Sequence, residues 1–400
     1  MTNHMLDEPI EIRPNQEVLE LWWAGVAAVN GRALVRQSLK REKLPETGFH
    51  VAAVGKAAAS MLEGVRDFSP FAARELLITK EGHVPGDLLR GEGTEIHESA
   101  HPVPDARSLE AGKALRQFVE TVPDGEHLLL LISGGASALA EELCEGYTAD
   151  QLAAFSRYAL SAGTEIRQIN RDRALFSRIK GGKLLAAASR INVHVRKISD
   201  VKCGDEALIG SGIGSLERLP ANSGGLVREA LVVGNNAQAR DAVAAMALKR
   251  ELSVVENSET LYGDVFEVAE RLAHRLKSGP DGVYIWGGEP TVELPSDPGR
   301  GGRNQSLALA LGIALAGETS IHAMVAGTDG TDGPTEAAGG LVPVLGPDQL
   351  ESARAALARA DAGPFLENVG ALFTSGPTGT NVMDLAIAVK RSETKQKVMI

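Results

Sequence analysis

A chain of 400 residues is longer than one ordinary hydrophobic core serves, so two domains are expected. The net charge of −11 argues against a broadly basic nucleic-acid-binding surface, although a local cluster of donors and cations can still hold a small anion. Hydrophobic residues at 44% and charged residues at 23% suit a soluble globular protein, while 44 glycines point to tight turns and close approaches of backbone to something bound.

Met1 to Ile10 carries acids and no apolar core, so no secretory signal is expected there. Val18, Leu19, Leu21, Trp22, Val26, Val29 and Leu34 recur at helical spacing and predict helix through the first forty residues. His50-Val-Ala-Ala-Val54 then reads as a buried strand leading to Gly55-Lys56 and an alanine-rich helix. Leu128-Leu-Leu-Leu-Ile132 leads in the same way to Ser133-Gly-Gly-Ala-Ser137. The apolar run from Leu128 to Ala140 is too short to span a bilayer, and no membrane role is indicated. Cys144 and Cys203 can build neither a disulfide framework nor a cysteine-based zinc site, which fits a reduced, cytoplasmic setting. Ser199-Asp-Val201 with Asp205 forms an acidic loop after another apolar strand. Ala230-Leu-Val-Val233 runs into Gly234-Asn-Asn236 and a helix from Ala237 to Lys249. A second helix is predicted from Val265 to Leu276, and Lys277-Ser-Gly-Pro280 breaks it. Val283-Tyr-Ile-Trp286 leads to Gly287-Gly-Glu289, and His322-Ala-Met-Val325 to Gly327-Thr-Asp-Gly330.

Buried runs alternating with helices predict parallel α/β layers, in which ligands bind beyond the carboxyl ends of the strands. Those ends are where the glycines, hydroxyls and charges of this chain collect. The division is placed near residue 245, giving domains 1–245 and 246–400.

No G-x-x-x-x-G-K-[ST] phosphate loop is present, and neither an H-E-x-x-H nor a G-x-S-x-G signature. Gly210-Ser-Gly212-Ile-Gly214 is the nearest approach to a dinucleotide fingerprint; it lacks the spacing and a clean preceding strand. What remains suits phosphoryl transfer, which needs cations and amide donors on phosphates and carboxylates for a metal. Ser133, Gly134, Gly135 and Ser137 form the candidate phosphate cradle, or simply a tight strand-to-helix turn. Lys56, at a strand end, could meet a phosphate or a substrate carboxylate as a point charge, or be a surface lysine. Gly299-Arg-Gly-Gly-Arg-Asn-Gln305 sets Arg303 at a helix start beside Gly301 and Gly302, with planar forks suited to anions. Asp329 and Asp332 lie three apart in Gly327-Thr-Asp-Gly-Thr-Asp-Gly333, where hard oxygens suit Mg²⁺ or scaffold an Asx turn. Ser375-Gly-Pro-Thr-Gly-Thr-Asn381 is another small polar turn, and His101, in His-Pro-Val-Pro-Asp105, is read as a hydrogen-bonded loop residue.

These segments together resemble the class II glycerate 2-kinases. The matching pieces run in family order from Gly55-Lys56-Ala57 through His101-Pro-Val-Pro-Asp105, Ile132-Ser-Gly-Gly-Ala-Ser-Ala-Leu139 and Ser177-Arg-Ile-Lys-Gly-Gly182. Ser199-Asp-Val201, Val233-Gly-Asn-Asn236, Gly287-Gly-Glu289, the Gly299 to Gln305 loop, Gly327 to Thr335 and Gly376-Pro-Thr-Gly-Thr-Asn-Val382 follow. The resemblance implies a Rossmann-like parallel-sheet N-terminal domain, a smaller α/β C-terminal domain of the MOFRL type and a cleft between them. It implies ATP- and Mg²⁺-dependent phosphorylation of D-glycerate to 2-phosphoglycerate. Lys56 and Arg303 carry the family's essential cations, Asn235 joins the nucleotide-binding set, and Asp200, Asp205, Glu289, Asp329 and Asp332 are the metal or substrate carboxylates. The expected partners are a small hydroxy acid and ATP, with a homodimer among the assemblies the sequence allows.

The chain departs from the family pattern at Lys202-Cys-Gly-Asp205, at Ser211-Gly-Ile-Gly214, and at Leu175, Ser306 and Met383. Competing readings are a kinase of a related hydroxy acid, a nicotinamide-dependent hydroxypyruvate reductase and a non-catalytic ligand-binding relative.

Overall fold

The computed structural model describes residues 14–41, 49–68, 72–86, 88, 93–161, 166–202, 208–219 and 225–392. Cys203 and Asp205 lie outside the described residues.

The first sheet contains β1 (Phe49–Val54), β2 (Arg74–Lys80), β3 (Thr94–Ser99), β4 (His127–Ile132), β5 (Asn192–Ile198) and β6 (Arg228–Gly234). All its pairings are parallel, in the order β3-β2-β1-β4-β5-β6. β1 and nearly all of β4 are buried on both faces, which is why residues 51–54 and 128–132 read as unbroken apolar runs; β5 is buried throughout although it carries His194, Arg196 and Lys197. The chain steps outward from β1 to β3, returns to β4 and steps out the other way to β6. That reversal opens a crevice at the carboxyl ends of β1 and β4.

The second sheet contains β7 (Val254–Leu261), β8 (Gly282–Gly288), β9 (Ile321–Gly327), β10 (Gly339–Leu341), β11 (Leu372–Phe373) and β12 (Asp384–Lys390). Its order is β11-β10-β9-β12-β8-β7. Here the parallel expectation holds only for the β7–β8 pair. β12, the last strand among the described residues, inserts antiparallel between β8 and β9 and so makes the sheet mixed. The ends of β8 and β9 and the start of β12 point one way, toward the crevice of the first sheet.

The predicted helix over the first forty residues is two helices, α1 (Pro14–Ala28) and α2 (Gly31–Arg41). They are followed by α3 (Ala58–Phe68), α4 (Ala106–Glu120), α5 (Ala136–Leu139), α6 (Ala149–Ser161), α7 (Ile166–Phe176) and α8 (Lys183–Ala186). The remainder are α9 (Asn236–Lys249), α10 (Val265–Ser278), α11 (Arg303–Ala314), α12 (Leu350–Ala358) and α13 (Ala362–Asn368). α10 shows why such segments fold as helices: Asp264 caps its start, and Val265, Val268, Ala269, Leu272, Ala273 and Leu276 form one buried stripe. Among the described residues no helix is long and apolar enough to cross a membrane.

One apolar cluster joins α1, α2, α3 and α9 to the facing sides of both sheets, through Val51, Leu129 and Leu131 on one and Ile285, Met324 and Ile387 on the other. Separate clusters fill the outer faces. Residue 245, where the sequence division was placed, falls inside α9.

Candidate active site

The crevice is built first from two loops that interlock. Gly55 takes φ 128°, and a Cβ there would stand 2.2 Å from Ser133 Oγ, so only glycine fits the crossing. The Lys56 amide donates to the Gly134 carbonyl at 2.9 Å, and the Ala57 amide donates to Ser133 Oγ at 3.0 Å. These bonds pin Lys56 over the end of β1. Its largely buried side chain reaches across to the second half of the chain, where Nζ donates to Asp329 Oδ2 at 2.6 Å. Burial by itself would raise the Asp329 pKa; the Lys56 ammonium overrides that and holds the carboxyl well below its usual range.

The Gly134-Gly135 turn is crowded on every side. A Cβ on Gly134 would meet Asn381 Nδ2 at 2.1 Å and Asp200 Oδ2 at 2.2 Å, while Gly135 lies against Lys56 and His101. The Gly134 and Gly135 amides donate to no acceptor among the described residues, leaving donors for a ligand. The helix after this turn, α5, is only one turn long, so the cradle rests on amides rather than on a helix dipole. Ser137 Oγ bonds Ser211 Oγ at 2.5 Å and accepts from Arg173 at 2.6 Å. Asp200, after β5, is pushed up to about 6 by burial and then by the nearby Glu289 charge. His101 is kept well below its usual value by burial and by the Lys56 charge, so it is neutral at pH 7.

Arg303 enters from the other half as the first residue of α11. Its Nε donates to Asp384 Oδ2 at 2.6 Å, a second nitrogen to Asp384 Oδ1 at 3.1 Å, and a third lies 2.9 Å from Glu289 Oε1. Burial would lower its pKa, but Asp384 and Glu289 hold it well above the ordinary value. Gly301 and Gly302 lead into this helix, and Asp332 closes its start by accepting from the amides of Asn304 at 3.0 Å and Gln305 at 2.9 Å. Burial nevertheless pushes Asp332 up to about 6. Asp329 and Asp332 thus do different things: the first faces Lys56, and the second serves a helix.

A Cβ on Gly327 would stand 3.3 Å from both Asp329, which holds Lys56, and Asp384, which holds Arg303, so the two ion pairs lie at the same end of the second sheet. Asn235 caps α9, in a reciprocal capping box with Gln238. Its neighbour Asn236 instead ties α9 to the start of β12 through the carbonyls of Val382 and Asp384. Sequence reasoning missed Asp384 and Lys80. Asp384 opens a strand whose pairing is entirely non-local. Lys80 ends β2 just as Lys56 follows β1, but the short apolar run of that strand gave no clear signal of its end. A separate cavity of about 980 Å³, lined by residues such as Leu19, Val344 and Val369, holds none of these residues.

A family profile described as a domain of unknown function, DUF4147, matches residues 17–220, and the MOFRL family profile matches residues 282–384. A D-glycerate 2-kinase from Thermotoga maritima is 30% identical over 395 residues, covering 87% of this chain and 93% of its own. An Agrobacterium vitis relative that carries a hydroxypyruvate reductase name is 32% identical, covering 84% of this chain and 97% of its own. The crystal structure of a glycerate kinase from Thermotoga maritima superposes with a TM-score of 0.79 at 28% identity, covering 94% of this chain and 99% of that one. The interlocked strand-end loops, the two sheets and these relatives together establish that the chain belongs to the class II glycerate 2-kinase family.

Proposed function

We propose that this chain transfers the terminal phosphoryl group of ATP to the 2-hydroxyl of D-glycerate. The observation that carries the reading is that the carboxylate partners of two cations from opposite halves of the chain, Asp329 for Lys56 and Asp384 for Arg303, both flank Gly327, where a Cβ would stand 3.3 Å from each. Phosphoryl transfer needs little covalent help from a protein; it needs positive charge and donors fixed where negative charge develops. Lys56 and Arg303 supply the charge, and the ion pairs they make with Asp329 and Asp384 hold them in position before substrate arrives. The amides of Gly134 and Gly135 receive the remaining phosphates.

The donor set also fits Mg²⁺. Among the described residues no trio of His, Cys, Asp or Glu could cage a metal, and Mg²⁺ usually takes one or two carboxylates, substrate phosphates and water. Asp200 is partly buried, among the described residues no side-chain donor bonds it, and Glu289 lies within electrostatic reach. These two carboxylates would hold the ion, whose chemistry is to neutralise charge on the phosphates.

Reduction of hydroxypyruvate is the second reading, because a relative carries that name. Against it, Gly210 to Gly214 does not join a strand to a helix; Ile209–Gly212 is a short 3₁₀ turn. The test supplies ATP, Mg²⁺ and D-glycerate while following ADP, and in parallel hydroxypyruvate and NADH while following nicotinamide absorbance. ADP release that depends on glycerate supports the kinase. NADH consumption without ADP release would overturn it.

A further inference from the structure

Lys56 and Arg303 already have carboxylate partners, but Lys80 does not. It is the last residue of β2, half-buried, and among the described residues no hydrogen-bond acceptor or carboxylate meets its ammonium. The nearby acids are turned elsewhere: Glu81 pairs with Arg107 at 2.8 Å, and Glu98 accepts from the Gly82 amide at 2.8 Å. Its position is fixed by the sheet. β1 and β2 pair in parallel with Val54 opposite Ile78, so Lys56 and Lys80 each stand two residues beyond that last pair, on adjacent strands. The Gly55 amide bonds the Ile78 carbonyl at 3.0 Å, and Thr79 Oγ1 returns a bond to the Gly55 carbonyl at 3.0 Å, which locks the two strand ends together. Burial and then the Lys56 charge lower the Lys80 pKa, against an opposing pull from Asp329, the carboxylate already bonded to Lys56. His83 and His101, which also face this group, are kept below their usual values by burial and add no negative charge.

A cation with no bonded carboxylate of its own among the described residues, beside the phosphoryl-handling lysine, is a place for a second anion. In a 2-hydroxy acid the carboxylate is bonded to the carbon that bears the reacting oxygen, so its anchor must stand close to the phosphoryl anchor. Neighbouring strands, roughly 4.8 Å apart, meet that requirement. The glycine cradle follows β4, on the other side of β1. The sheet edge therefore presents Lys80, Lys56 and the cradle in that order. We propose that Lys80 binds the carboxylate of the acceptor and so selects hydroxy acids over neutral alcohols. This assignment rests on the kinase reading above.

The test compares the full chain with Lys80→Met and Lys80→Gln, after circular dichroism has shown equal folding. The expected result is a rise of about tenfold or more in KM for D-glycerate, with KM for ATP within about twofold of the parent. The parent's preference for D-glycerate over its uncharged amide should collapse in both variants. An unchanged KM for D-glycerate, a rise confined to ATP, or a fall in kcat alone would each overturn the assignment. Direct titration with D-glycerate in the absence of ATP separates this from failure of the kinase reading. If the parent turns over no hydroxy acid yet binds D-glycerate, loss of that binding in Lys80→Met sustains the carboxylate site, and retention removes it. A parent that neither turns over nor binds D-glycerate defeats both.

Discussion

On the proposed reading, Arg303 serves both catalysis and stability. Its partner Asp384 is 1% exposed, so removing the guanidinium strands a buried carboxylate, at the low end of about 3–5 kcal/mol because Arg303 itself keeps some solvent contact. Arg303→Ala is therefore expected to lower both the melting temperature and, by about 10²–10³-fold, the turnover. Adding Asp384→Asn should return much of the stability and none of the turnover. Recovery of activity in the double variant would take Arg303 out of the chemistry. Two aspartates titrate with opposite signs. Asp329 has its folded pKa held below the ordinary 3.8, so its contribution is full above that value and is lost as pH falls through the folded one. The paired change Lys56→Met with Asp329→Asn should flatten the acid limb of the melting curve below about pH 4. Asp200 is raised from 3.8 to about 6, so the stability it allows is fullest below 3.8 and is lost as pH rises through about 6. Asp200→Asn should thus melt higher than the parent at neutral pH, by on the order of 2–3 kcal/mol in stability, and equally at pH 3.5. Mg²⁺ should raise the parent's melting temperature and leave that variant's unchanged. A parent curve indifferent to Mg²⁺ would remove Asp200 as its holder.

At the scale of elements, the Gly134-Gly135 turn is held by pieces from four other segments, with Asp200 after β5, Asn381 before β12, Lys56 after β1 and His101 before α4 all against it. Gly134→Ala inserts a methyl where 2.1 Å is available, and overpacking of this kind costs about 1–3 kcal/mol. The variant is expected to melt several degrees lower and to bind ATP weakly, whereas Gly86→Ala, with open space around it, should match the parent in both. ATP affinity unchanged in Gly134→Ala would show that the cradle lies elsewhere. This turn was legible in sequence because β4 is a continuous apolar run ending abruptly in small residues, and local pattern suffices for that. β2 was not, since Arg-Glu-Leu-Leu-Ile-Thr-Lys offers only three consecutive apolar positions between charged ends. Nor could the site role of Asp384 be read, because β12 owes its central place to pairing with strands some sixty and a hundred residues earlier. Local rules located the loops that carry Lys56 and Arg303. Which carboxylates meet those cations depended on strand order, which no local pattern encodes.

Across the whole molecule, the two sheets share their middle layer. α1, from the start of the chain, packs on α9, β9 and β12, and its Trp22 stands edge-on to Phe373 at 5.1 Å between ring centres. Residues that follow the first sheet and residues that precede it therefore cover the same face of the second. A cut at 245 takes α1 and most of α9 away from that face and exposes Val283, Ile285, Met324, Leu385 and Ile387, each fully buried in the intact chain. At about 1.5–3 kcal/mol for each side chain, the loss is comparable to the whole stability of an ordinary domain, about 5–15 kcal/mol. Residues 246–400 expressed alone are accordingly expected to aggregate or to show collapsed amide dispersion, and residues 1–245 to leave Trp22 in solvent with red-shifted fluorescence. The intact chain should unfold in one calorimetric transition, since an apolar contact of this extent couples the halves and leaves little room for independent motion. A well-dispersed spectrum from 246–400, or two separated transitions in the full chain, would show instead that each sheet folds on its own and that Lys56 and Asp329 face each other across a mobile joint.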